Sequence, residues 1–110
     1  MLTLSANTRI FVCNAPVSMH KSFEGLGTIV EQLFPGELFS GALFIFLNKE
    51  RSHMKVLFWE RDGFAIWYKR LQRGLFAFKE QKILLDRREF FMLLEGIEPK
   101  KIRSQFLLGK

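Results

Sequence analysis

The chain has few of the residues that usually carry catalysis or covalent cross-links. Its 110 residues include one cysteine, Cys13, and two histidines, His20 and His53. A single cysteine excludes an intrachain disulfide framework and a multi-cysteine zinc site, and this usage is typical of a reducing cytoplasm. The sequence also has no phosphate-binding glycine loop, no histidine pair at helical metal spacing and no serine elbow. These absences predict a protein that is not an enzyme and that holds no cofactor or metal.

Two alternatives to that interpretation stay open at the level of the sequence. Cys13 could meet His20 or His53 in the fold as a nucleophile and its base, although a lone cysteine in an apolar run is more often a small core residue. Glu60 and Asp62 could bind a divalent ion, although turn formation and surface charge are the commoner roles of acidic residues in such a position.

Long hydrophobic runs are also absent. No apolar run approaches the roughly 20 residues that a membrane span requires, and the N-terminus lacks the basic-then-apolar order of a signal peptide. Hydrophobic residues nevertheless make up 48% of the chain, with 13 phenylalanines, as expected of a folded protein. We therefore expect a cytoplasmic protein with a single α+β domain over residues 1–98 and a basic, flexible tail over residues 99–110.

Acidic residues are outnumbered, and the imbalance is confined to one part of the chain. The sequence has 17 lysines and arginines against 11 acidic residues, a net charge of +6. Residues 1–48 hold two basic and three acidic residues, so the whole excess lies in residues 49–110. An excess of this kind favours a polyanion or an acidic protein surface as partner.

Residues 55–78 contain the strongest local structural signal, a β-hairpin. Asp62 and Gly63 stand between two strand-like runs and predict a two-residue turn, with Gly63 at positive φ. That register pairs Phe58 with Trp67 and Lys55 with Arg70. Strand alternation then divides the side chains between two apolar faces. One face carries Leu57, Trp59, Phe64, Ile66 and Tyr68, and the other carries Val56, Phe58 and Trp67 beside Glu60 and Lys69.

The other elements follow from periodicity and from capping signals. Residues 9–13 predict a strand, Ser18 predicts the N-cap of a helix that ends at Pro35, and residues 42–47 predict a central strand that is covered on both faces. Residues 75–78 predict a further strand, with residues 83–85 as a short last strand or a lead-in. The spacing of Asp86 and Glu89 predicts a capping box that opens a second helix.

We therefore predict an α+β fold with an antiparallel sheet of four to five strands. The elements follow the order β-α-β-β-β-β-α, and both helices pack on one face of the sheet.

Two surface features are candidate functional sites. The first is a basic patch near the end of the hairpin, which could hold DNA phosphates and consists of Lys49, Arg51, Lys55, Lys69, Arg70 and Arg73. The second is the apolar sheet face around Phe58 and Trp67. Two helices on the opposite face would leave this face exposed, and exposed apolar patches usually mark partner interfaces.

Spaced blocks of residues resemble one known family. They are MHKSFEGL at 19–26, FSGALFIF at 39–46, KVL at 55–57, DG at 62–63, YKRL at 68–71, GLF at 74–76 and LLEGI at 93–97. In this order they are similar to the TnpB-type accessory protein, the second open reading frame product of the insertion sequence 66 family of bacterial transposons. The resemblance covers residues 9–97. The chain departs from the family pattern at Ser18, at His20 and at Phe78-Lys79.

The resemblance implies a small accessory protein that acts beside a separate transposase when the element moves. Two mechanisms fit it. In the first, the protein binds DNA through the basic end of the hairpin. In the second, it is an adaptor that docks on the transposase, or on another copy of itself, through the apolar sheet face.

Overall fold

The computed structural model of the chain describes residues 4–77 and 83–95. The described elements are, in chain order, β1 (Ile10–Val12), α1 (Phe23–Leu33), β2 (Leu43–Leu47), β3 (His53–Glu60), β4 (Gly63–Arg70), β5 (Leu84–Leu85) and α2 (Arg87–Leu94). The strands form one five-stranded sheet in the spatial order β4-β3-β2-β1-β5. Strand β2 lies at its centre and is buried along its whole length, as predicted.

The sheet is mixed, so the prediction of an antiparallel sheet was wrong in one pairing. Strands β1 and β2 run parallel, with Ile10 beside Leu43, whereas the other three pairings are antiparallel. The reason is the connection through α1. A helical crossover returns the chain to its starting edge, so that β2 enters the sheet in the same direction as β1.

The β3–β4 hairpin forms, with a register two residues away from the predicted one. Glu60 pairs with Gly63, so Arg61 and Asp62 make the turn, and Arg61 takes the positive φ of 52° that was expected at Gly63. Trp67 consequently lies opposite Val56 and not opposite Phe58. Because side chains alternate with period two, a slip of two residues leaves every side chain on its predicted face.

The two helices lie on opposite faces of the sheet, which corrects the prediction that both share one face. Leu26 and Val30 of α1 pack in one core cluster with Phe44, Phe46 and Leu57. The other cluster is made by the alternate residues of the same strands, together with α2 and a loop phenylalanine. Its buried members are Ile10, Val12, Leu43, Ile45, Leu47, Met54, Val56, Phe76, Leu85, Phe90 and Leu93. Each apolar face of the sheet therefore has its own cover.

The beginnings of the helices show which capping signals were read correctly. The capping box is confirmed, since Asp86 accepts from the Glu89 amide and Glu89 accepts from the Asp86 amide. Helix α1 instead begins after Ser22 and not after Ser18, whose hydroxyl accepts from the His20 amide in a local turn.

The strand predicted for residues 75–78 is not formed over its described part. Residues 75–77 run as a loop in which the Phe76 amide donates to the Arg51 carbonyl over 2.8 Å. Residue 78 and the predicted tail, residues 99–110, lie outside the described residues.

Candidate functional site

Two loops meet at the end of the sheet where β3 begins and β4 ends. Residues 48–52 connect β2 to β3, and residues 71–76 follow β4. The loops are joined by hydrogen bonds from the Leu71 amide to Ser52 (2.9 Å) and from the Phe76 amide to Arg51 (2.8 Å). The side chain of Asn48 fixes the first loop, because its Oδ1 accepts from the amides of Ser52 and His53.

An open groove of about 460 Å³ lies beside these loops and is lined by residues 16–20, residues 48–50 and His53. Both histidines of the sequence line it, together with Lys49. Nδ1 of His53 lies 2.8 Å from Ser52 Oγ and 3.1 Å from Asn48 Nδ2, so the ring is held in a fixed orientation. Arg70 lies directly across from His53 in the β3–β4 ladder. The groove is lined by His20, Lys49, His53 and the acidic Glu50, and Arg70 lies next to it. We call the side chains of His20, Lys49, His53 and Arg70 the basic groove.

Lys55, one of the predicted phosphate contacts, is placed elsewhere. It is 8% exposed, and its Nζ donates to the carbonyl oxygens of Met19 and Lys21 at 2.8 Å each. The same ammonium lies 5.0 Å from the centre of the Tyr68 ring, a cation–π distance. Lys55 pairs with Tyr68 and not with Arg70, so the predicted like-charge contact does not form. Lys55 is therefore not part of the exposed basic patch. Its buried ammonium instead joins strand β3 to the segment before α1.

Lys69 and Arg70 are divided between the two faces of the sheet, because neighbouring residues of a strand point in opposite directions. Lys69 is half-buried on the α2 side, where its Nζ donates to the Leu94 carbonyl over 2.6 Å, at the C-terminal end of α2. A cation in that position compensates the helix dipole. Arg70 is exposed on the opposite side, next to His53. The predicted patch therefore does not form one surface.

The remaining basic residues stay at the loop end of the sheet. Lys49 and Arg73 are exposed, and Arg51 is half-buried in the same pair of loops. Sequence reasoning missed His20 and His53 as members of this site. The sequence offered no signal for them, because only the fold brings residues 16–20 against residues 48–50.

The two side chains predicted to form an apolar interface are largely used in the packing of the domain itself. Phe58 and Trp67 are half-buried and pack against the core cluster that contains Phe90 and Leu93 of α2. A more exposed aromatic group lies at the other end of the sheet, on the α1 side. There Phe39 is 62% exposed, and its ring centre lies 5.1 Å from that of Trp59 and 5.3 Å from that of Phe64.

Cys13 has the features of a core residue. It is buried, its Sγ donates to the Ala15 carbonyl over 3.5 Å, and burial raises the pKa of its thiol. A raised pKa disfavours the nucleophilic thiolate. Within residues 4–77 and 83–95, His, Cys, Asp and Glu side chains do not gather in threes as a metal site would need. Of the helices in these same ranges, none has the length and apolar character needed to span a bilayer.

The fold and this surface define a small α+β domain with a basic groove. Residues 8–104 match the sequence model of the family described as IS66 Orf2 like protein, so the chain belongs to that family. The predicted family is confirmed, and the match continues past residue 97, where the resemblance was expected to end. The family is one of accessory proteins of insertion sequence 66 elements, which connects this chain with transposition.

Two proteins of Sinorhizobium fredii (strain NBRC 101917 / NGR234) are similar to this chain along most of their length. The uncharacterized protein y4jC is 24% identical over 108 residues, which cover 96% of this chain and 92% of that protein. The uncharacterized protein y4hO is 27% identical over 101 residues, covering 89% of this chain and 88% of that protein. No solved structure matches the chain.

Proposed function

We propose that the protein supports an insertion sequence 66 transposase by binding DNA through the basic groove. The observation that carries this proposal is that Lys49 and His53 line one open groove, with Arg70 from a distant part of the chain directly across the ladder from His53. His20 contributes from a third segment, the turn before α1. Lysine and arginine on such a surface suit the phosphate backbone, which they contact to position a protein without reading sequence.

The loop construction supports the same proposal. Hydrogen bonds from Asn48 hold the 48–52 loop in one conformation, so Lys49 is presented from an ordered backbone. Arg51 and Arg73 lie in the two hydrogen-bonded loops at the same end of the sheet, and they add to the basic surface there. Arg73 stands next to Gly74, whose φ of 74° sets the turn. The proposed DNA-contacting residues are therefore Lys49 and Arg70 of the basic groove, together with Arg51 and Arg73 of the adjoining loops.

The test is the salt dependence of binding to duplex and single-stranded DNA. The double variant Lys49→Ala/Arg70→Ala should bind more weakly and should flatten the plot of log K against log salt by about 1 to 2 units, because each lost phosphate contact removes close to one unit. The control is Arg87→Ala/Arg88→Ala, which removes two exposed arginines from the first turn of α2. An equal loss in the control would show binding without a defined site. Unchanged affinity and slope in the groove variant would refute the proposal.

The second candidate function is that of an adaptor that docks on the transposase. The observation in its favour is the exposed aromatic group of Phe39, Trp59 and Phe64, since aromatic residues are enriched among the anchors of protein interfaces. The accessible edges of Phe58 and Trp67 are a second candidate surface for this role.

Capture of the transposase by the variants Phe39→Ser and Trp67→Ala would show which of the two surfaces binds it. Phe39→Ser should leave the fold intact because that ring is mostly exposed, whereas Trp67→Ala should lower stability because its ring packs on the core. Capture that survives Phe39→Ser, and also survives Trp67→Ala while the domain stays folded, would eliminate the adaptor function.

A further inference from the structure

Strand β4 forms one edge of the sheet and has an unusual composition for an edge. Among residues 4–77 and 83–95, no segment pairs with its outer side. The strand is eight residues long, and its centre, residues 64–68, reads Phe-Ala-Ile-Trp-Tyr without a charge or a proline. Natural proteins usually protect an edge with central charges, prolines or short strands, because an open edge is a template for another strand. The centre of β4 has none of these features.

The ladder shows which backbone groups of β4 face outward. The Leu71 amide donates to the Ser52 carbonyl over 2.9 Å, which continues the β3–β4 register by one hydrogen-bonded pair. Hydrogen-bonded and non-hydrogen-bonded pairs alternate along an antiparallel ladder. The residues that bond β3 are therefore Gly63, Ala65, Trp67 and Lys69. The residues whose amide and carbonyl groups point away from the sheet are Phe64, Ile66, Tyr68 and Arg70.

We propose that β4 pairs with β4 of a second copy of this chain, antiparallel and about a two-fold axis at Ile66. The alternation allows only registers in which outward-facing residues meet outward-facing residues. Centring on Ile66 places Phe64 opposite Tyr68 of the second copy and brings Asp62, the turn residue just before β4, near Arg70 of the second copy. By symmetry, each of these pairs occurs twice.

Charge and size both favour this register. The acidic tip of the hairpin, with Asp62, is brought beside the basic end of β4, and both residues are exposed. On the other face the small Ala65 comes opposite the large Trp67 of the second copy. The next allowed register, centred on Trp67, instead sets Phe64 against Arg70 and Trp67 against its own copy. It loses the ion pairs and crowds two indoles. Aromatic cross-strand pairs and opposite charges stabilise a ladder, whereas mismatched pairs do not.

The first test is the oligomeric state, measured by sedimentation in the absence of DNA, so that it does not depend on the proposed DNA binding. The wild-type chain should associate reversibly to a dimer between about 1 µM and 1 mM, a range suited to a small interface. Asp62→Arg alone and Arg70→Asp alone should each raise the dissociation constant roughly tenfold or more, because each creates two like-charge contacts. The double variant Asp62→Arg/Arg70→Asp should restore association, which a general loss of stability would not do.

The second test reads the register directly, in a Cys13→Ala background that removes the native thiol. Ile66→Cys should give a disulfide-linked dimer under mild oxidation, since the two cysteines would face each other across the axis within bonding distance. Trp67→Cys is the matched control and should link poorly. Efficient linking by Trp67→Cys with none by Ile66→Cys would overturn the register. A monomer at every concentration, or a dimer that neither single charge reversal weakens, would overturn the proposal, and a monomer whose edge captures the transposase would assign β4 to a different partner.

Discussion

The ammonium of Lys55 donates a hydrogen bond to the carbonyl oxygen of Met19, 2.8 Å away, and a second one to Lys21. Residues 19–21 stand where the sequence predicted the first turn of α1, and the carbonyls of Met19 and Lys21 instead accept from Lys55 of β3. Burial of the ammonium is compensated by these two acceptors and by the Tyr68 ring. This arrangement fixes the segment before α1, which also lines the basic groove.

The first prediction concerns the two hydrogen bonds that Lys55 donates. Lys55→Met should lower the free energy of unfolding by about 1–3 kcal/mol, because it keeps the side-chain volume but leaves the two carbonyls without their donor. Urea denaturation would measure the loss. The salt slope of DNA binding should stay as in the wild type, since Lys55 is too buried to contact a phosphate. A stable variant with a flattened slope would return Lys55 to the DNA-binding surface.

The second prediction concerns the hairpin turn. Arg61 has a φ of 52°, so Arg61→Gly should raise the unfolding free energy by up to about 1 kcal/mol through relief of left-handed strain. Gly63→Val should be tolerated, because Gly63 has no positive φ and an added Cβ there meets no atom within 4 Å. Gly74→Val is the matched comparison and should destabilise, since Gly74 has a φ of 74°. Thermal melts that ranked Gly63→Val below Gly74→Val in stability would contradict the observed register.

The third prediction concerns the ion pair between Arg9, just before β1, and Glu37, which follows α1. The hydrogen bond from Arg9 holds the pKa of Glu37 below its ordinary value. A carboxyl whose pKa is lower in the folded state stabilises the fold above its unfolded pKa and loses that contribution as the pH falls through the folded pKa. Melting temperatures of Glu37→Gln should therefore approach those of the wild type as the pH falls below the ordinary carboxyl range. A difference that persists unchanged at low pH would show that the pair does not titrate in this way.

Local signals in the sequence predicted the structure well, and long-range relationships less so. The capping box of Asp86 and Glu89 depends on four consecutive residues and was found where expected. The division of the hairpin into two faces was also correct, because it depends only on the parity of each position. The predicted turn residues were wrong: the turn is Arg61-Asp62, one residue earlier than Asp62-Gly63, which moves every cross-strand partner by two residues.

Contacts between distant segments could not be read from periodicity at all. The bond from Lys55 to Met19 joins residues 36 positions apart, and the bond from Lys69 to Leu94 joins residues 25 apart. A lysine in a strand gives the same sequence signal whether its ammonium meets solvent, a phosphate or a carbonyl. Two of the six residues of the predicted basic patch, Lys55 and Lys69, therefore make hydrogen bonds within the fold that a charge pattern alone does not reveal.

The last prediction separates two neighbouring residues of β4. Lys69→Ala should lower the unfolding free energy by about 1 kcal/mol or more, since it removes the donor to the Leu94 carbonyl at the end of α2, and should leave the salt slope of DNA binding unchanged. Arg70→Ala should do the reverse, with stability near that of the wild type and a slope flattened by close to one unit. Urea titration and salt-dependent binding on the same two variants would measure both quantities. If both variants weakened binding equally without loss of stability, the two side chains would share one DNA-binding surface, contrary to their placement on opposite faces of the sheet.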